Sequence, residues 1–171
     1  TITKNTMIKL IITGGTIDKR YNELNGELYF PGTHLPEMLQ QSRCKLDIDL
    51  QSLMLKDSLD MTKADREALR QACGATDTPQ IIVTHGTDTM VDSANYLAKT
   101  ITGKTIVLVG AMVPYMICQS DALFNLGCAM TAVQLLPTGV YITMNGKVFA
   151  WDKVMKDRRL GEFKSSMQSL S

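Results

Sequence analysis

Apolar residues in this chain fall into short unbroken runs, separated by stretches in which they recur at helical spacing or not at all. Met7 to Ile12 is such a run; it ends at Thr13-Gly14-Gly15-Thr16 and predicts a buried strand followed by a tight turn. Asp18 to Thr33 is polar, glycine-punctuated and without period, too long for an ordinary connection, and reads as a functional lid. Leu35 to Ser42 predicts a short helix, and the alternation of charged and apolar residues from Lys45 to Leu50 predicts a strand near a sheet edge. In Thr62-Lys63-Ala64-Asp65 a capping hydroxyl precedes an acidic first turn. Ala64, Ala68, Leu69 and Ala72 continue at helical spacing to a stop near Gly74.

Ile81 to Val83 predicts a second buried strand, followed after Thr84-His85-Gly86-Thr87-Asp88 by a helix through about Thr100. Ile106 to Val109 repeats the strand pattern and stops at Gly110 and Pro114. Asp121 to Leu136 is apolar nearly all round, which predicts a well-buried helix stopped by Pro137 and Gly139. Asn145-Gly146, between Val140 to Thr143 and Val148 to Trp151, is a hairpin signal. Strands alternating with helices predict an α/β fold: a doubly wound, mostly parallel sheet with helices on both faces, in the three-layer flavodoxin-like or Rossmann-like manner, plus a C-terminal β-hairpin. The domain is expected over residues 1–163, with 164–171 a flexible tail.

The length of 171 residues suits one such domain. Lys plus Arg number 18 against 17 Asp plus Glu, so the formal charge of +1 gives no field for nucleic acid or an anionic membrane, and neither is an expected partner. The longest apolar runs are strand-sized, and Thr1 to Thr6 is polar with no secretory pattern, which makes the cytoplasm the expected location. Cys44, Cys73, Cys118 and Cys128 form no C-x-x-C pair, and the two histidines complete no zinc spacing. They read as buried or incidental thiols, and no metal is expected.

In open parallel sheets ligands bind at the carboxyl ends of strands, so the chemistry is sought in the turns at Thr13-Gly14-Gly15-Thr16, Thr84-His85-Gly86-Thr87-Asp88 and Gly110-Ala111-Met112-Val113-Pro114. Their glycines either make tight turns or expose N–H groups to a phosphate, a carboxylate or a developing oxyanion. Neither G-x-G-x-x-G nor a Walker sequence occurs, which counts against a nucleotide. Thr16 and Thr87 are candidate nucleophiles, each in need of a base. His85 is either a structural hydrogen-bonding group or that base. Asp88 is either a helix cap or the acceptor of a substrate ammonium group.

These segments carry a resemblance. Thr13-Gly14-Gly15-Thr16-Ile17 and Thr84-His85-Gly86-Thr87-Asp88-Thr89-Met90 closely resemble the two signature segments of bacterial-type L-asparaginases. Asp57-Ser58-Leu59-Asp60-Met61, Gly110-Ala111-Met112, Phe124-Asn125-Leu126 and Asp152-Lys153-Val154-Met155-Lys156 follow in the family's order. The resemblance covers nearly the whole chain. It implies hydrolysis of the side-chain amide of L-asparagine, or of another small amide, through a threonine acyl-enzyme, with no cofactor. By motif, Thr16 resembles the primary nucleophile and Tyr29, from the loop, its activating partner, with Tyr21 the rival. Thr87, Asp88 and Lys156 resemble the second catalytic group. Ser58 and Asp88 resemble the residues that grip the substrate's carboxylate and amino group, and Gly15, Gly86 and Ala111 would add polar contacts.

Leu59 stands where many relatives have a glutamine, Val113 replaces a common arginine, and Ala122-Leu123 interrupts the usual run after Asp121. The chain also stops after what resembles the family's N-terminal domain, so the C-terminal domain, which in relatives completes a neighbouring subunit's pocket, is expected to be absent. The resemblance implies a homo-oligomer, a dimer or tetramer. Two other readings stand beside hydrolysis: a non-catalytic amino-acid-binding or regulatory module with a degenerate pocket, and an N-terminal-threonine hydrolase using Thr1.

Overall fold

A strand whose side chains are buried on both faces must lie inside a sheet covered on both sides, and Leu10, Ile11 and Ile12 are all buried. The structure, a computed structural model that describes residues 7–166, places them in β1 (Ile8–Gly14), followed by a single 3-10 turn at Thr16–Asp18. The long loop then contains a two-residue hairpin, β2 (Arg20–Tyr21) with β3 (Leu28–Tyr29), before α1 (Leu35–Gln41). β4 (Ile48–Lys56) starts later than the alternating pattern suggests and runs on to Lys56, leading into a 3-10 turn at Ser58–Asp60. α2 (Lys63–Ala75) opens with the expected reciprocal cap between Thr62 and Asp65.

β5 (Gln80–Thr84), α3 (Met90–Thr100) and β6 (Thr105–Val109) follow the predicted order. After α4 (Ala122–Leu135), β7 (Gly139–Met144) turns into β8 (Lys147–Ala150) through Asn145 (φ 50°) and Gly146 (φ 85°), the left-handed pair that suits a two-residue hairpin. A second hairpin, β9 (Val154–Asp157) with β10 (Glu162–Ser165), has no signal in the sequence. It corrects the start of the expected tail. Lys164 and Ser165 are strand residues, with Lys164 opposite Met155 and its ammonium 2.7 Å from Asp157 Oδ2. Residues 167–171, and the Thr1 of the N-terminal-threonine reading, lie outside the described residues.

The main sheet has the order β4-β1-β5-β6-β7-β8, all parallel except the β7–β8 pair. Its parallel strands therefore follow the doubly wound 2-1-3-4-5 order, with the direction of winding reversing between β1 and β5. One face packs Leu35 and Met38 of α1 and Leu126, Ala129 and Val133 of α4. The other packs Leu69 and Cys73 of α2 and Met90, Ala94 and Leu97 of α3. β4 and β8 are the edges. Among the described residues no helix is long and apolar enough to cross a membrane.

α4 departs from its expected burial. Its inner face is buried, but Phe124 and Leu135 are each 60% exposed, and together with Thr131, Cys128 and Val148 they line an open groove of about 700 Å³. The sheet covers one side of the helix only. Of the thiols, Cys73 is buried, where desolvation pushes it up to about 12, and Cys118 is exposed.

Asp121 ties the α4 end of the fold to the turn after β6. Its carboxylate accepts the N–H groups of Met112 and Val113 at 3.0 Å, and the side-chain amides of Asn125 at 2.8 Å and Asn145 at 2.9 Å. Burial pushes this carboxyl up, but those donors outweigh it and leave it below the usual carboxylate range. A carboxyl lowered on folding stabilises the folded state above its unfolded pKa of about 3.9, and that contribution is lost as pH falls through the folded value. Asp121→Ala is therefore expected to cost about 2–3 kcal/mol at neutral pH in a denaturant titration. The gap from the parent protein should narrow below about pH 4; an equal gap at all pH values would contradict the charged clamp.

Candidate functional site

The winding reversal between β1 and β5 leaves a crevice at their carboxyl ends, and glycine brings the two turns there into contact. Gly15 has φ 83°, and a β-carbon on it would lie 2.4 Å from the Gly86 backbone nitrogen. A β-carbon on Gly86 would in turn lie 2.7 Å from the Ser58 hydroxyl. No side chain fits at either place. Thr16, Thr87 and Ser58 are thus adjacent to, or part of, three backbone segments packed directly on one another. The fourth segment joins them: Gly110 packs against the His85 carbonyl and the Thr87 methyl, and Ala111 beside it is buried. Thr16 is half-buried at the head of its 3-10 turn, so its N–H has no acceptor within that turn.

Lys156 arrives from β9, far away in sequence. Its Nζ donates to Thr87 Oγ1 at 2.8 Å and to Asp88 Oδ1 at 2.7 Å. The Lys156 side chain is 13% exposed, so this is a largely desolvated ammonium held by one hydroxyl and one carboxylate. Asp88 is corrected as a helix cap. It makes no cap bond to α3, whose N-cap is Thr89, and Thr89 instead donates its N–H and hydroxyl to Ser58 Oγ and Ser58 O.

The loop over this crevice is fastened at its base. Asp18 is wholly buried and accepts the Thr33 hydroxyl at 3.1 Å and the His34 N–H at 2.8 Å, which joins the loop's two ends. Burial dominates over these donors and holds the Asp18 carboxyl above its usual range. Lys19 reaches Asp57 Oδ2 at 2.5 Å and lies 5.7 Å from the centroid of the Phe30 ring. In β2–β3, Arg20 is opposite Tyr29 and Tyr21 is opposite Leu28. Cross-strand partners share a face, so the two tyrosines project from opposite faces of the hairpin. Both are exposed, and neither hydroxyl bonds Thr16 among the described residues.

His85 is fully buried, and desolvation pushes it down to about 4, so it is neutral at ordinary pH. The Gly86 carbonyl, 2.7 Å from Nδ1, can only accept, which assigns the proton to Nδ1 and leaves Nε2 to accept from Ser93 Oγ at 2.7 Å. Ser93 Oγ accepts in turn from Arg66 Nε at 3.1 Å. This chain of bonds fixes the carbonyl of the Gly86 turn, which is the structural member of the pair of roles the sequence leaves open for His85. No cluster of three or more His, Cys, Asp or Glu suited to a metal occurs among the described residues.

The family model described as "Asparaginase, N-terminal" matches residues 7–167. An L-asparaginase from Thermococcus kodakarensis is 28% identical over 170 residues, covering 90% of this chain and 49% of that protein. The solved thermostable L-asparaginase of that organism superposes with a TM-score of 0.82 at 26% identity, covering 93% of this chain and 51% of the other. A probable cytoplasmic L-asparaginase from Campylobacter jejuni gives 0.81 at 27% identity, covering 94% and 53%. One component of a glutamyl-tRNA(Gln) amidotransferase from Methanococcus vannielii is 29% identical over 152 residues, covering 82% of this chain and 34% of that protein. The chain spans about half the length of the L-asparaginases it matches, and it belongs to the asparaginase family, whose N-terminal domain it carries.

Proposed function

We propose that this chain provides the threonine half of an amidohydrolase pocket acting on L-asparagine or a related small amide. One observation carries the reading: a poorly exposed lysine that binds both Thr87 and Asp88, beside a turn whose glycine touches the turn bearing Thr16. The Thr16 hydroxyl oxygen attacks the amide carbonyl carbon, and its proton passes to the leaving nitrogen, so that ammonia departs and an acyl-threonine ester remains. Water adds to the ester, giving the carboxylic acid and restoring the Thr16 hydroxyl. Tyr29, swung in on its hairpin, relays the Thr16 proton toward the leaving nitrogen and in the second step relays a proton from the attacking water back to the Thr16 oxygen. Lys156, held in place by Asp88, is the group that activates Thr87 or water in the same cycle.

Ser58 and Asp88 bind the substrate's carboxylate and ammonium groups. The turns at Gly15, Gly86 and Ala111 line the amide, with the Thr16 N–H as a donor to the developing oxyanion. The uncharged face of α4 and β8, with Phe124, Leu135 and Val148 exposed, supports association into a homo-oligomer, and the Campylobacter jejuni neighbour supports a cytoplasmic location.

The chain is expected to release ammonia from L-asparagine in a coupled assay. Thr16→Ala and Thr87→Ala should each lower that release at least about a thousandfold while circular dichroism stays unchanged. Full activity in both folded variants refutes the mechanism. Calorimetry separates the other reading, since L-aspartate binding with no ammonia from the parent chain is the signature of a binding or regulatory module. Lys156→Met is expected to cut ammonia release about a hundredfold or more, the usual scale for a removed proton-transfer group.

A further inference from the structure

The loop and the substrate-binding turn are joined by a contact that the proposed mechanism does not use. Lys19 is the first residue after the 3-10 turn that begins at Thr16, and its side chain is 17% exposed. It lies between two elements that are otherwise separate in the chain: Phe30, on the returning side of the loop, and Asp57, which precedes Ser58. Asp57 has a second task. Its other oxygen accepts the Leu59 N–H at 3.1 Å and so caps the turn that presents Ser58.

We propose that Lys19 and Asp57 are positioning residues forming a latch, in which seating the loop over the crevice and fixing the Ser58 turn are a single event. The latch acts through other residues. On the loop side it holds Phe30, next to Tyr29, and on the turn side it holds the capped backbone that aims Ser58 toward Gly86. With the Lys19 ammonium withdrawn, the Asp57 carboxylate is left without its principal partner, while the loop keeps the Asp18 bonds to Thr33 and His34 at its base.

The Lys19 bond holds the Asp57 carboxyl below the usual carboxylate range, with a smaller contribution from the charge of Lys156. Asp57 is thus within electrostatic reach of the lysine that binds Thr87 and Asp88. The residues of the latch and of the proposed catalytic group therefore alternate in sign, which keeps each charge compensated when the loop is seated.

The substrate side of this inference rests on the amide-hydrolase reading, and the loop side does not, so the test reads both. Amide hydrogen exchange by mass spectrometry on peptides covering residues 20–33 is expected to run about tenfold faster in Lys19→Met and in Asp57→Asn, the loss of one charge-assisted hydrogen bond. Asn keeps a capping acceptor, so the second variant removes the charge without removing the cap. The double variant should exchange no faster than either single one, and Lys19→Arg should restore slow exchange. L-aspartate affinity by calorimetry should weaken about tenfold in the same pattern. Unchanged exchange, or additive effects in the double variant, overturns the latch whatever the affinity does. Absence of L-aspartate binding by the parent chain overturns the amide reading and leaves the latch to stand on exchange alone.

Discussion

The site depends on a steric constraint, the contact of Gly15 with Gly86. Parallel neighbours in a doubly wound sheet send their crossover chains to opposite faces at the winding reversal, which ordinarily leaves their exit turns apart. Here the β1 turn comes back across the crevice to meet the β5 turn, and an added β-carbon at Gly15 would lie 2.4 Å from Gly86 N. That approach brings the threonine-bearing turns of two crossovers on different faces to one crevice. It also explains why the floor needs so few side chains of its own: backbone lies against backbone, with Ser58 as the third layer.

Around that floor, two ion pairs stand close to the crevice. Lys156 has Asp88, and Lys19 has Asp57. Unpaired charges at this degree of burial are costly, and two pairs leave a crevice that is polar without a large net charge. Under the proposed amide-hydrolase reading, a small zwitterion would exchange its own opposite charges with the walls without leaving an excess on either side.

Much of this is legible along the chain. The apolar runs mark β1, β5 and β6, Thr62 and Asp65 mark the start of α2, and Asn145-Gly146 marks the β7–β8 hairpin, because each signal is local. The β9–β10 hairpin is four residues a side with one buried residue in each strand, Val154 and Phe163, too little to announce itself. The burial of α4 is overstated by its sequence, because an apolar composition records what a helix face tolerates and not whether anything covers it. Lys156 and Thr87 are 69 residues apart, and only the family motif places them together beforehand. Lys19 and Asp57, 38 apart, belong to no pattern of spacing and emerge only from the fold.

The parts of the site differ in how firmly they are held, and the difference bears on what can change when a ligand binds. The floor is immobilised by contacts that do not titrate in the neutral range. His85 is neutral and joined through Ser93 to Arg66, and Asp121 fixes the Met112 and Val113 amides with a carboxyl already lowered. The roof is pinned at its base by Asp18 and Lys19, while its tip is in water, with Leu24 91% exposed and Tyr29 41%. A rigid floor under a base-pinned roof confines any rearrangement to the β2–β3 hairpin. Because Tyr21 and Tyr29 project from its opposite faces, a rotation of the hairpin as a unit brings one toward Thr16 only by turning the other away. In the proposed mechanism, which tyrosine faces Thr16 would therefore follow from how the hairpin seats above the Lys19–Asp57 ion pair.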